Sequence, residues 1–192
     1  MIKINRDTFY TLYRKFFGKL QQGQVDGLNF LIDKLESSAK IQHSKSDVTL
    51  AMWAYVLMTV KWETASTYQP VTEYGSQKYL RSKRYYPYIG RGYVQLTWEG
   101  NYKVFGDRIG VDLIGNPTLA NDPENAWKVL EEGMTDLTPQ DPEFTGKSLE
   151  DYFNDERIDF YNARKIINPK DWDSYNPITK GALKFLEVLR ES

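Results

Sequence analysis

A mainly α-helical fold with a small β element is what the sequence predicts, and three observations predict it. Apolar residues recur at helical spacing in several separated segments. The run Val48–Trp62 is apolar on nearly every side, and a short stretch after Gly92 alternates with a period of two. At 192 residues the chain can form one domain with a sizeable core, or two small lobes around a cleft. No repeat or low-complexity tract divides it, so residues 1–192 read as a single domain.

Phe9, Leu12, Tyr13, Phe16, Phe17 and Leu20 keep helical spacing, with Asp7 or Thr8 placed to cap them. Arg14, Lys15 and Lys19 would suit a membrane surface, but the reading taken is a core-facing helix with a solvated basic face. Leu28, Leu31 and Ile32 mark a second amphipathic helix from about Val25 to Leu35. Ser46 or Asp47 can cap the third, Val48 to about Trp62, whose all-round apolarity makes it the central buried helix. Asp122-Pro123-Glu124 supplies a cap, a proline at the first helical position and a first-turn acid for a helix through Ala126, Trp127, Leu130 and Met134. Thr135–Lys147, with two prolines and a glycine, is the longest irregular piece. Ser148 is placed to cap a short helix carrying Leu149, Tyr152 and Phe153. Phe160–Ile167 reads as helix stopped at Asn168-Pro169, and a last helix runs from about Pro177 through Ile178, Leu183, Leu186 and Leu189.

Composition removes several function classes. A net charge of −1 gives no long-range attraction to nucleic acid or an anionic membrane, although a local basic patch remains open. The chain has no cysteine and one histidine, His43, so neither a disulfide nor a zinc site is expected. No cofactor is expected either. No run reaches the length of a membrane span, and the first residues lack the apolar core of a secretory signal. A protein made in the cytoplasm is the expectation.

Glu63 arrives at the C-terminal end of the apolar helix, on the face of Thr59, Val56 or Tyr55, and Met52. Burial and the negative end of the helix dipole would both raise its pKa. The alternative is a frayed end, with Glu63 in water or paired to a lysine. Ten residues on, Glu73 stands in the loop-like Gln69-Pro70-Val71-Thr72-Glu73-Tyr74-Gly75, where it should be more solvated and ionised. Two carboxylates in contrasting environments are what acid-plus-base hydrolysis of a glycosidic bond requires.

Tyr85–Tyr102, YYPYIGRGYVQLTWEGNY, places six aromatic residues around a glycine pair, Gly90 and Gly92, that brackets Arg91. Tyr93, Gln95 and Thr97 alternate with Val94, Leu96 and Trp98, giving one polar and one buriable face. Flat aromatic surfaces beside hydrogen-bonding groups suit a sugar chain; a plain core strand with a turn fits the same residues.

Three separated motifs carry a resemblance: Lys61-Trp62-Glu63-Thr64, Gln69–Gly75, and Gly90-Arg91-Gly92-Tyr93-Val94-Gln95-Leu96-Thr97-Trp98 with Asn101-Tyr102. They are similar to the family 19 glycoside hydrolases, which comprise plant-type chitinases and many phage and prophage lysozyme-like enzymes. Gly110–Leu113, Asn116-Pro117, Phe144–Lys147 and Asn162–Asn168 extend the likeness, which covers about Val25 to Asn168. The short, cysteine-free chain looks most like the phage endolysin branch. The resemblance implies a lysozyme-like α+β fold, two helical lobes around a cleft with a small β element. It also implies Glu63 as general acid, Glu73 as general base and Thr97 as the hydroxyl that holds the attacking water. Arg91, Tyr93, Gln95, Trp98, Asn101, Tyr102 and Asn168 are implied as substrate-binding positions, with Arg91 either on sugar or bracing a carboxylate. Trp62 stands where the family usually has histidine, Pro87-Tyr88-Ile89 interrupts its usual Tyr-Tyr-Gly-Arg-Gly, and Pro169 follows Asn168 where glycine is common.

The function that this resemblance implies is that of a monomeric endolysin-type muramidase. Such an enzyme cuts the peptidoglycan backbone with inversion, its carboxyl groups roughly 6.5–9.5 Å apart. It would be made in a phage-infected bacterial host and act on the wall after release. A chitinase acting on N-acetylglucosamine polymers is the second reading, and a non-catalytic glycan-binding module the third.

Overall fold

A computed structural model describes residues 2–135 and 144–192, and these form a mainly helical fold with one small β ladder. Most of the expected irregular piece Thr135–Lys147 lies outside the described residues.

Helix α1, Arg6–Phe17, is capped by Asn5, whose side chain accepts from the Thr8 amide; Asp7 instead sits in the first turn, where its charge faces the positive helix end. Helix α2, Gln22–Ser37, opens on a reciprocal pair between Gln21 and Gln24. Helix α3, Ser46–Glu63, is the centre of the molecule: every residue from Val48 to Val60 is buried. Each Leu, Val or Met enclosed this way contributes roughly 1.5–3 kcal/mol. Helix α8, Trp172–Glu191, packs along α3, with α1 and the short α7, Phe160–Ala163, against it.

Two expectations fail here for local reasons. The last helix begins at Trp172, five residues before Pro177, so the proline lies inside the helix and lacks the amide that would bond back to the preceding turn. Ser148–Phe153 makes a single turn, Phe153 N to Leu149 O at 2.8 Å, rather than a helix. The Asn154 side chain accepts from the Glu156 and Arg157 amides and turns the chain into a bridge between Phe153 and Ile158.

The second group of elements is smaller. Strand β1, Val71–Thr72, pairs antiparallel with β2, Arg91–Gly92, in the register Val71 to Gly92 and Thr72 to Arg91. Between them lies α4, Gln77–Arg81. Helices α5, Glu99–Ile109, and α6, Pro123–Met134, pack together, and a 3₁₀ turn over Pro117–Asn121 joins them to β2. As its sequence requires, α6 is capped by Asp122, which accepts from the Glu124 and Asn125 amides.

The link between the two groups is a turn after Glu63 in which Ala65, Ser66 and Tyr68 all take positive φ. Helix α2 holds it. Gln24 donates to the Ser66 carbonyl and Gln69 to the Gly23 carbonyl, both at 2.8 Å, and Gly27 lies directly under Tyr68. A Cβ at Gly27 would overlap the Tyr68 carbonyl oxygen, whereas one at Gly23 meets nothing. Gly27→Ala should therefore cost about 1–3 kcal/mol, and Gly23→Ala, on the same helix, should cost nothing measurable. Thermal denaturation of the pair checks this, and equal stabilities would show that the turn is not pressed against α2.

Candidate active site

Glu63 is the last residue of α3, and its fate is decided by an arginine 101 residues further on. Arg164 Nη1 donates to Glu63 Oε1 at 2.6 Å, Nη2 to Asp171 Oδ2 at 2.9 Å and Nε to Ser174 Oγ at 2.7 Å. The Arg164 side chain is 2% exposed and that of Glu63 is 15% exposed. A guanidinium so enclosed needs carboxylates, and two of them share it. Burial raises the Glu63 pKa, Arg164 opposes this by charge and hydrogen bond, and Asp171 adds to the rise; the net direction is up. Burial works against ionisation of Asp171 as well, but hydrogen bonds from Arg164 and Ser174 hold its pKa below the ordinary value. Arg164 thus favours the charged form of both carboxyls; it prevails at Asp171, while burial and the Asp171 charge outweigh it at Glu63.

Glu73 follows β1 and is held differently. Its amide donates to the Gly90 carbonyl at 2.7 Å, and its carboxylate accepts from Tyr85 Oη at 2.9 Å and from the Gly90 amide at 3.1 Å. A Cβ at Gly90 would press on Gln95 Oε1, so the Gln95 side chain packs directly over this glycine. Tyr85 meets Trp98 edge-on, ring centres 5.1 Å apart, and Trp98 is 51% exposed.

Beyond Gly92 the expected extended segment is absent. The chain reverses over Tyr93–Gln95, and Arg91 and Leu96 exchange both backbone bonds, at 3.1 and 2.8 Å. Gln95 takes a φ of +57°, and its amide donates to the Val71 carbonyl. Thr97 Oγ1 donates to the Gln95 carbonyl at 2.8 Å, which leaves the hydroxyl oxygen able to accept. Asn101 donates to the Thr97 carbonyl. A cavity of about 120 Å³ opens here, with Gln95, Thr97 and Asn101 on one side and Phe144 and Ile167 on the other.

With this geometry in view, the family is settled by comparison: residues 38–147 match the glycoside hydrolase family 19 model, chitinase class I. The chain belongs to that family. Chitinase 11 of Oryza sativa subsp. japonica is 49% identical over 43 residues, 22% of this chain and 17% of that protein. Basic endochitinase B of Arabidopsis thaliana is 55% identical over 47 residues, 24% of this chain and 13% of that protein. The matched stretches thus span less than a fifth of these curated relatives. Chitinase C from Streptomyces griseus HUT6037 superposes with a TM-score of 0.63 at 20% identity, covering 98% of this chain and 77% of that one. A bacterial family 19 chitinase superposes at 0.59 and 22% identity, covering 98% and 96%. These structures share the family 19 fold, a mainly α lysozyme-like architecture.

Three of the implied family 19 site residues need correction. Tyr93 is 1% exposed and stacks on Phe30, because the turn at 93–95 rotates it into the core. Tyr102 is fully buried; its hydroxyl donates to the Ile89 carbonyl and accepts from Arg91. Arg91 is buried too, and it donates to the Pro87 carbonyl and to Tyr102, so it braces a loop rather than a carboxylate or a sugar. Gln95, Trp98 and Asn101 remain at the surface of the site. Asn168 is exposed, with its side-chain oxygen on the Lys170 amide.

The residues that the sequence does not single out are Arg164, Asp171 and Tyr85. Arg164 stands beside Lys165 in the sequence, and nothing local marks it as the buried one of the two. Among the described residues no group of three or more His, Asp or Glu could hold a metal.

Asp171→Asn removes the negative neighbour that raises Glu63 while leaving Arg164 in place. The Glu63 pKa should then fall, as followed by carboxyl-carbon NMR titration; an unchanged or higher value would show that Asp171 and Glu63 are not coupled through Arg164.

Proposed function

We propose that this chain hydrolyses the glycan backbone of peptidoglycan, in the manner of an endolysin. The observation that carries the hydrolase reading is the contrast between two carboxyls. Glu63 is buried at an apolar helix end with a raised pKa, and Glu73 is held by a phenol and a backbone amide beside an exposed tryptophan. Glu63 donates its proton to the glycosidic oxygen as the bond to the anomeric carbon breaks. Water attacks that carbon from the opposite face and gives its proton to Glu73, so the configuration inverts. The Thr97 hydroxyl accepts from the attacking water, its own proton being engaged by the Gln95 carbonyl. Once Glu63 has become a carboxylate, Arg164 at 2.6 Å stabilises the charge that the step creates.

Peptidoglycan is favoured by the resemblance to the phage branch. Chitin is the second reading, favoured by the relatives and solved structures compared above, each a chitinase by name. In this reading the protein acts as a monomer, is made in the cytoplasm of a phage-infected bacterial host, and meets the wall after a separate factor releases it. No helix among the described residues is long and apolar enough to cross a membrane.

Glu63→Gln should lower turnover of purified cell wall by about 10²–10⁴-fold with the fold intact. Mass spectrometry of the wild-type products from cell wall and from chitin, supplied separately, decides the substrate. Muramic-acid reducing ends from the wall support the proposal, chito-oligomers from chitin with the wall uncut favour chitin, and no product from either removes the enzymatic reading. Because Glu63 has to be protonated to donate, wild-type turnover should fall as pH rises through its raised pKa.

Thr97→Val keeps the branched shape and removes only the hydroxyl. It should lower kcat, by less than Glu63→Gln does, without moving Tm. Unchanged turnover would leave the water to Glu73 alone.

A further inference from the structure

Between Glu73 and Glu99 the chain carries Lys78, Arg81, Lys83, Arg84 and Arg91 and no acid, although the net charge of the whole is −1. Arg91 is engaged with buried carbonyls, which leaves four cations on α4 and the loop after it. Lys78, Arg81 and Arg84 are exposed and make no ion pair among the described residues, and Lys83 lies over the Tyr79 ring, 3.9 Å from its centre. Elsewhere in the chain Arg6, Lys34, Lys40 and Lys103 each sit on a carboxylate. Like charges left together on one segment repel one another, and among the described residues no carboxylate forms an ion pair with Lys78, Arg81, Lys83 or Arg84.

This segment is fastened to the wall that carries Glu73. Tyr85, the residue after Arg84, donates to Glu73 and packs against Trp98. The Tyr79 ring closes over Gly75, two residues after Glu73, so tightly that a Cβ there would press into it. Tyr74, Tyr79, Tyr86 and Trp98 are exposed around the cations. Positive charges interleaved with partly exposed aromatic rings therefore stand beside one of the two carboxyls of the site.

A neutral acetamido-sugar polymer would use the aromatic faces and leave the charges idle. A glycan whose sugars bear peptide branches ending in carboxylates would use both. We infer that Lys78, Arg81 and Arg84 bind the branch carboxylates of a peptidoglycan strand seated in the cleft, and so select an anionic branched glycan over a neutral one. The inference rests on the hydrolase reading above and names the substrate class for that site. Three exposed charges, each contributing a few-fold at most, together give roughly tenfold in kcat/KM. The effect belongs mainly to KM and weakens with salt, as the screening length falls from about 10 Å at 0.1 M to about 3 Å at 1 M.

The test compares one phosphate-free peptidoglycan in two forms, native and with its carboxyls capped as neutral amides. Wild type should cut the capped wall roughly tenfold less efficiently, mostly through KM, and the gap should close at high salt. The Lys78→Gln/Arg81→Gln/Arg84→Gln variant should treat the two walls alike. Equal cleavage of both walls by wild type would overturn the carboxylate role while leaving the peptidoglycan reading standing. A variant that keeps the full native preference would overturn the assignment to these residues. Cleavage of chito-oligosaccharides with neither wall cut would overturn both readings together.

Discussion

The guanidinium of Arg164 is the constraint on which the acid side of this molecule depends. It is enclosed where the end of α3, the turn after α7 and the start of α8 meet. The end of α3 supplies Glu63, and the start of α8 supplies Asp171 and Ser174. Removing one partner of such a buried pair typically costs about 3–5 kcal/mol, since the remaining charge is left without compensation. The same arrangement that closes the helical body therefore fixes the carboxyl that would do chemistry. Packing and proton affinity are therefore linked at this point.

Much of the helical body was legible in the sequence because its periodicity is strong. The all-round apolarity of Val48–Val60 required a buried central helix, and Asp122-Pro123-Glu124 marked the start of α6 to the residue. Boundaries were less legible where side chains compete with the backbone, as at Asn154, or where a proline is tolerated early, as at Pro177. The alternation of Tyr93, Gln95 and Thr97 misled for a different reason. A period of two describes a strand only if the backbone stays extended, and the positive φ at Gln95 folds this segment back on itself. Tyr93 then belongs to the core, although its residue type and spacing matched a polar face.

The site was legible in part. Glu63 and Glu73 could be singled out because a carboxylate ending an apolar stripe and another in a turn-rich loop are unlike their neighbours. What binds them could not be. Arg164 lies 101 residues from Glu63, and Tyr85 reaches Glu73 only because the loop after α4 returns beside β1. Contacts of that span arise from how elements pack within each group, and no local pattern encodes them.

The turn of positive-φ residues after Glu63 has a consequence for chemistry carried out some distance away. The chain between the two carboxylates runs through this turn and β1, and the turn is clasped to α2 by the side chains of Gln24 and Gln69. It acts as a ruler. Carboxylate separation distinguishes glycosidases that invert from those that retain, and displacements near 1 Å can change rates about a hundredfold. In the proposed mechanism, two glutamines that touch neither carboxylate would thereby help to set the gauge of the reaction.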